Sequence, residues 1–190
     1  MTNIDNLFEQ QEKELSESEE WHALAQPNQL WKSDPLFYDY HACSTKNKGS
    51  IGENFVSHFM EIAGHAVEKP LNAGHDRIIS GYKTEIKFSL ATTKTAGKKK
   101  YISPSNFMIN HISKGKDWER LIFCGINPVG DPNRVVLLYA EKADLLAHMN
   151  TIASVFKHQQ AGKKGQNDDY ICCVTPGVLT ESFWKEITEW

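Results

Sequence analysis

Two carboxylates and a lysine, Asp76, Glu85 and Lys87, fall close together in this chain. Glu85 and Lys87 are two residues apart inside Tyr82-Lys83-Thr84-Glu85-Ile86-Lys87-Phe88-Ser89-Leu90, which alternates strictly and reads as a strand. On a strand their side chains leave the same face, with Lys83 and Ser89, while Tyr82, Thr84, Ile86, Phe88 and Leu90 leave the other. Asp76 opens a second short strand over 76–80, and Gly81 permits a turn between the two. Antiparallel pairing then brings Asp76 beside Glu85. Two carboxylates at one point repel each other unless a cation lies between them. Oxygen ligands suit a hard cation, and Mg²⁺ is the natural occupant. Held by two carboxylates, it binds a phosphate oxygen and a water, and a neighbouring lysine orients or deprotonates that water. This is the outline of a site for phosphodiester hydrolysis.

The elements that must carry these residues are legible to differing degrees. Residues 50–63 predict a helix, with Ile51, Phe55, Phe59 and Ile62 at helical spacing, Ser50 as cap and Gly64 as stop. After the alternating strand, 91–102 read as a polar, lysine-rich loop and 104–113 as a helix opened by Ser103-Pro104. The apolar run 120–126 predicts a buried strand, paired as a hairpin with 135–140. A helix over 141–156, a loop over 158–169, a strand over 170–174 and a helix over 180–190 complete the chain. Residues 4–25 predict an acidic helix, and the irregular 26–50 region separates an N-terminal helical arm (1–45) from the main body (46–190). The order predicts a single α/β domain around one central mixed sheet flanked by helices.

Composition narrows the field. With 190 residues, 40% hydrophobic and 24% charged, the chain has ordinary globular composition and length for a real core. No apolar run approaches a membrane span, and the acidic N-terminus lacks the pattern of a signal peptide. Four cysteines without CxxC spacing point to reduced thiols, and with the rest to a cytoplasmic protein. The net charge of −3 hides an asymmetry. Residues 1–35 hold eight acids and two lysines, a net of −6, whereas 83–116 hold eight lysines and one acid, a net of +7. A local basic stretch in an acidic chain suggests a surface facing a polyanion.

Asp76, an eight-residue gap, then Glu85-Ile86-Lys87 resembles the signature of the PD-(D/E)xK nuclease superfamily, and in particular the type II restriction endonucleases. His75 stands where the superfamily usually has proline. The likeness spans roughly 48–128 and takes in Lys48-Gly49-Ser50-Ile51-Gly52-Glu53, with an acid on the helix before the first strand. It also includes 106–112 followed by 117–126, read as the helix and strand after the motif. The resemblance implies a restriction-endonuclease-like core and Mg²⁺-dependent cleavage of double-stranded DNA to 5′-phosphate and 3′-hydroxyl ends. It implies Asp76 and Glu85 as metal ligands, the Ile86 carbonyl as a further ligand, Lys87 as the catalytic lysine and Glu53 as an additional acid. It also implies a homodimer matched to a palindromic site, and a cognate methyltransferase encoded nearby.

A DNA-contacting set follows from residue types. Arg77 and Ser89 flank the carboxylates. A DNA-contacting role is also expected of Lys98, Lys99 and Lys100, which offer charge to phosphate, of Asn106 and Asn110 on the polar face of the expected helix with Ser113, and of His111 between that face and apolar neighbours. Lys163, Lys164 and Gln166 lie in a glycine-bearing loop suited to close approach. Two other readings stay open. One is a repair or junction-resolving nuclease of the same fold. The other is a non-catalytic DNA-binding or assembly module in which Glu85 merely pairs with lysines on an exposed strand face.

Overall fold

The structure is a computed structural model and describes residues 31–34, 36–37, 39–158 and 169–190. The expected helix over 4–25 and the loop carrying Lys163, Lys164 and Gln166 lie outside the described residues. The protein is α/β, with a mixed multi-stranded sheet and two α-helices among the described residues. In chain order, α1 (Thr45–Ile62) is followed by β1 (Val67–Glu68), β2 (Arg77–Ile79), β3 (Tyr82–Leu90), β4 (Thr93–Ala96) and β5 (Lys99–Ile102). Next come β6 (Phe107–Ser113), β7 (Arg120–Ile126), β8 (Val135–Glu141), α2 (Lys142–Met149), β9 (Phe156–His158), β10 (Asp169–Val174) and β11 (Lys185–Glu186).

The chain divides into two compact units. One comprises 1–43 with 93–101. There Trp31 and Phe37 are buried, and the Asp34 carboxylate accepts from the Leu36 and Phe37 N–H groups at 3.0 and 3.1 Å. The β4–β5 hairpin occupies the segment expected as a plain loop, with Gly97 at φ +60° in its turn.

The other unit comprises 44–92 and 102–190. Its main sheet runs β1-β2-β3-β7-β8-β11. The pair β3–β7 is parallel and every other pair is antiparallel. Ser80 and Gly81, at φ 49° and 88°, turn β2 into β3, and positive φ at both positions marks the tight turn that suits a two-residue hairpin. The expected alternation of β3 holds in direction but not in exposure. Thr84, Glu85 and Ile86 are all buried, because layers cover both faces.

On one face lies α1. A Cβ on Gly52 would stand 2.3 Å from the Phe88 Cβ, so only glycine allows the helix to approach β3 this closely. Its buried side is Gly52, Val56, Ser57 and Met60 rather than the expected stripe, and Phe59 and Ile62 remain exposed. The helix also starts earlier than expected, with the Ser44 hydroxyl as cap, accepting from Asn47 N–H at 3.2 Å. Gly52→Ala is expected to destabilise the protein by about 1–3 kcal/mol through overpacking, read as a fall in Tm. An unchanged Tm would contradict the close helix–strand contact.

A second, three-stranded sheet, β6-β10-β9, packs on the other face. Met108 N–H donates to the Ser89 hydroxyl at 3.2 Å, and the Phe107 ring fills the space where a Gly125 Cβ would be. Here the predicted helix over 104–113 is corrected to strand β6. The ladder with β10 shifts between Tyr170 and Cys172, leaving Asn110 and His111 opposite Ile171, with His111 at φ 56°. The expected C-terminal helix is likewise replaced by a 3₁₀ turn (Val178–Thr180), the edge strand β11 and a second 3₁₀ turn (Ile187–Glu189). The expected helix over 141–156 ends at Met149 and gives way to β9.

Candidate active site

Strand β2 pairs with β3 at Arg77–Thr84, which sets Asp76 opposite Glu85. Asp76 N–H donates to the Thr84 carbonyl at 2.9 Å, and Asp76 Oδ2 accepts from Ile86 N–H at 2.7 Å. The aspartate side chain thus takes the donor that β2 no longer reaches. In this ladder the Ile86 carbonyl leaves β3 on the same side as its N–H, toward Asp76. Glu85 is fully buried, and its Oε1 accepts from Lys87 Nζ at 2.6 Å. The predicted juxtaposition of Asp76, Glu85 and Lys87 is therefore realised, with Asp76 on the residue just before β2, which is shorter than the expected 76–80 strand, and Glu85 and Lys87 on β3.

The electrostatics fit two crowded acids. Burial pushes the Asp76 carboxyl above its ordinary value, and the neighbouring Glu85 charge pushes it further. The Ile86 N–H and Lys87 oppose this, and Glu53 adds a last, smallest upward push.

Glu53 sits on α1, across the sheet from Glu85 and Lys87. Its Oε2 accepts from Arg77 NH1 at 2.9 Å. Arg77 also donates to the Ser57 hydroxyl at 3.0 Å, to Asn54 Oδ1 at 3.1 Å and to the Asp76 carbonyl at 2.7 Å. Arg77, expected to touch DNA, is committed instead to clamping α1 and the Asp76 backbone. A cleft of about 500 Å³ on this helix face, lined in part by Ser57, Glu61 and Lys69, shares Arg77 but not Asp76, Glu85 or Lys87.

The other expected contacts divide. Ser89 is buried, its hydroxyl donating to the Leu90 carbonyl at 3.0 Å as well as accepting from Met108, so it serves strand packing and not a ligand. The Asn106 amide donates to Ser103 Oγ and the Pro104 carbonyl, both at 2.9 Å, which fixes the turn before β6. Asn110 and His111 are exposed on the β6 bulge, with His111 Nδ1 3.3 Å from Asp169 Oδ2. Lys98 and Lys99 are exposed in the β4–β5 hairpin, and Lys100 lies on β5.

One residue at the site was not anticipated. Lys116, in the β6–β7 loop, brings Nζ to 3.2 Å from Glu85 Oε1 and 3.5 Å from Oε2. The only sequence signal for it was membership in the lysine-rich stretch 83–116. The buried Glu85 carboxylate therefore faces two ammonium groups. Burying a charge is costly unless it is paired in this way.

Among the described residues, no three His, Cys, Asp or Glu side chains gather into a ready-made metal cage. The donors present are oxygens: Asp76, Glu85 and the Ile86 carbonyl. That set matches a cation held by one or two carboxylates and completed by water and phosphate, as Mg²⁺ commonly is. No helix among the described residues is long and apolar enough to cross a membrane. The thiols of Cys43, Cys124, Cys172 and Cys173 are all free. In comparisons with known proteins, no family model matches the chain and no curated protein is similar enough to be matched.

Proposed function

We propose that this protein is a Mg²⁺-dependent endonuclease that hydrolyses phosphodiester bonds in duplex DNA, built on a restriction-endonuclease-like core. The reading rests above all on one observation: Asp76 and Glu85 face each other across β2 and β3, with Lys87 Nζ 2.6 Å from Glu85. An exposed strand face with incidental ion pairs would leave Glu85 in water, yet it is fully buried. Burying an acid beside a second acid opposes folding, and such groups concentrate where chemistry needs them.

In this mechanism Asp76 and Glu85 would hold the cation, with the Ile86 carbonyl beside them. The bound cation supplies Lewis acidity toward a phosphate oxygen and makes its water more acidic. Lys87, two residues from Glu85 on the same face of β3, orients the attacking water and faces the charge that develops on the phosphorus oxygens. Glu53 and Arg77 position rather than react: Arg77 ties α1 to the Asp76 carbonyl and so fixes the start of β2. Asn110, His111, Lys98, Lys99, Lys100, Lys163, Lys164 and Gln166 are the proposed DNA-contacting residues. A second copy of the chain, related by a two-fold axis, would match a palindromic site and cut both strands. The restriction role, a partner methyltransferase and a cytoplasmic setting belong to this same reading.

Sequencing the ends left on unmethylated plasmid and phage DNA tests it. Discrete fragments with 5′-phosphate ends at one recurring sequence are expected. Cuts confined to mismatched or branched DNA would move the protein to repair or junction cleavage, and no cleavage of any of these would overturn the nuclease reading.

A further inference from the structure

The two lysines on Glu85 differ in a way that suggests different duties. Lys87 shares a strand with Glu85 and its side chain is 13% exposed, whereas the Lys116 side chain is 37% exposed. The backbone under Lys116 is fixed. Its carbonyl accepts from Lys142 Nζ at 2.6 Å, and the adjoining Asp117 carboxylate binds Lys83 Nζ at 2.8 Å. The Asp117 carbonyl lies 3.1 Å from His75 Nδ1, and the buried Trp118 donates its indole N–H to the Ser113 carbonyl at 2.8 Å. A rigid loop thus carries a solvent-facing ammonium to the mouth of the carboxylate site.

Charge bookkeeping completes the argument. Two carboxylates, Asp76 and Glu85, stand with two amino groups, Lys87 and Lys116, and in their ionised forms these sum to zero charge. The set is balanced without any metal. A divalent cation shared by the two carboxylates leaves a surplus of two positive charges. Repulsion then acts on both lysines, and Lys116 is the one with room to leave. A phosphodiester strand entering the same site supplies negative charge where Lys116 would arrive.

We propose, resting on the nuclease reading above, that Lys116 is a second lysine of the reaction centre. It holds Glu85 until a divalent cation binds, then turns from the carboxylate to a non-bridging phosphate oxygen of the DNA.

Mn²⁺ binding measured by calorimetry without DNA tests the first half. Lys116→Gln, which keeps a hydrogen-bond donor and loses the charge, is expected to bind Mn²⁺ about tenfold more tightly than the unaltered protein. Lys116→Arg should stay near the starting affinity. The second half is read from binding of a mixed-sequence duplex in Ca²⁺ as salt is raised. Lys116→Gln should lower the slope of log affinity against log salt by about one. Lys142→Ala, which frees the loop under Lys116 without touching Glu85, provides a second variant and should shift Mn²⁺ affinity in the same direction by a smaller factor. If the unaltered protein binds Mn²⁺ but neither Lys116→Gln nor Lys142→Ala binds it more tightly, Lys116 is only a structural counter-ion and the proposal fails alone. An unchanged salt slope in Lys116→Gln would likewise overturn the phosphate contact. If the unaltered protein binds no Mn²⁺, the nuclease reading falls and takes the proposal with it.

Discussion

Lys87→Ala is expected to lower DNA cleavage by about 10²–10⁴-fold, the range typical of losing a positioned proton-transfer or charge-stabilising group. The protein should still fold. Glu85 keeps Lys116 as a partner at 3.2 Å, so its buried charge is not left alone. A single-turnover assay at saturating Mg²⁺ separates this effect from DNA binding. The loss should appear in the cleavage rate, with duplex affinity changed little. A variant that cuts at near the original rate would show that the ammonium beside Glu85 has no part in the reaction, whatever the resemblance of Asp76…Glu85-Ile86-Lys87 to a nuclease signature.

Asp76→Asn is expected to abolish cleavage and yet stabilise the metal-free protein at neutral pH. The Asn carbonyl can still accept from Ile86 N–H, so the local geometry has a substitute for the 2.7 Å bond. What disappears is a carboxylate whose charge is opposed first by burial and then by Glu85. The sign follows from linkage. The Asp76 carboxyl is raised above 3.8 in the folded protein, so between that value and the raised one the folded state binds more protons than the unfolded state. Stability attributable to this group therefore falls as pH rises through that window, and the penalty is present in full above the raised value. Unfolding of the two proteins followed from pH 4 to pH 7 should show the variant's advantage growing with pH. Each 1 kcal/mol gained would appear as about 2–4 °C in Tm for a chain of this size. A variant less stable than the parent at pH 7 would mean that the aspartate serves the fold rather than a reaction. Loss of activity with gain of stability is the pattern of a residue kept for function.

The carboxylate pair was legible because its geometry is local. A strict period of two fixed which side chains share a face of β3, and one glycine fixed the turn, so Asp76 could be brought opposite Glu85 by counting. Strand β7 was equally plain, since all seven of its residues are buried and the six after Arg120 form an unbroken apolar run.

Strand β6 carries a helix-like sequence pattern for a physical reason. Its buried residues are Phe107, Ile109 and Ile112. The bulge at Asn110 and His111 inserts one residue, so the period of two breaks after Ile109, and Pro104 ahead of it looks like a helix start. In α1 the hydrophobic stripe pointed to Ile51, Phe55 and Phe59, but the contact with β3 is made by Gly52, where the absence of a side chain is the feature that packs. Patterns built on large residues do not register that. At the C-terminus, the pairing of Lys185 and Glu186 with Tyr139 and Leu138 is non-local and wins over a helical pattern. Lys116 was missed on the same grounds: it reaches Glu85 across 31 residues of chain, through a loop whose path is set by Lys142, Asp117 and Trp118.

The most direct test of the account is to incubate the purified protein with unmethylated phage DNA in EDTA, then add excess Mg²⁺ to the same reaction. Intact DNA in EDTA, followed by discrete fragments once Mg²⁺ is present, is the predicted result. Fragments that form in EDTA would contradict the role given to Asp76 and Glu85. DNA left intact in both conditions, here and on methylated and branched substrates, would contradict the enzyme itself.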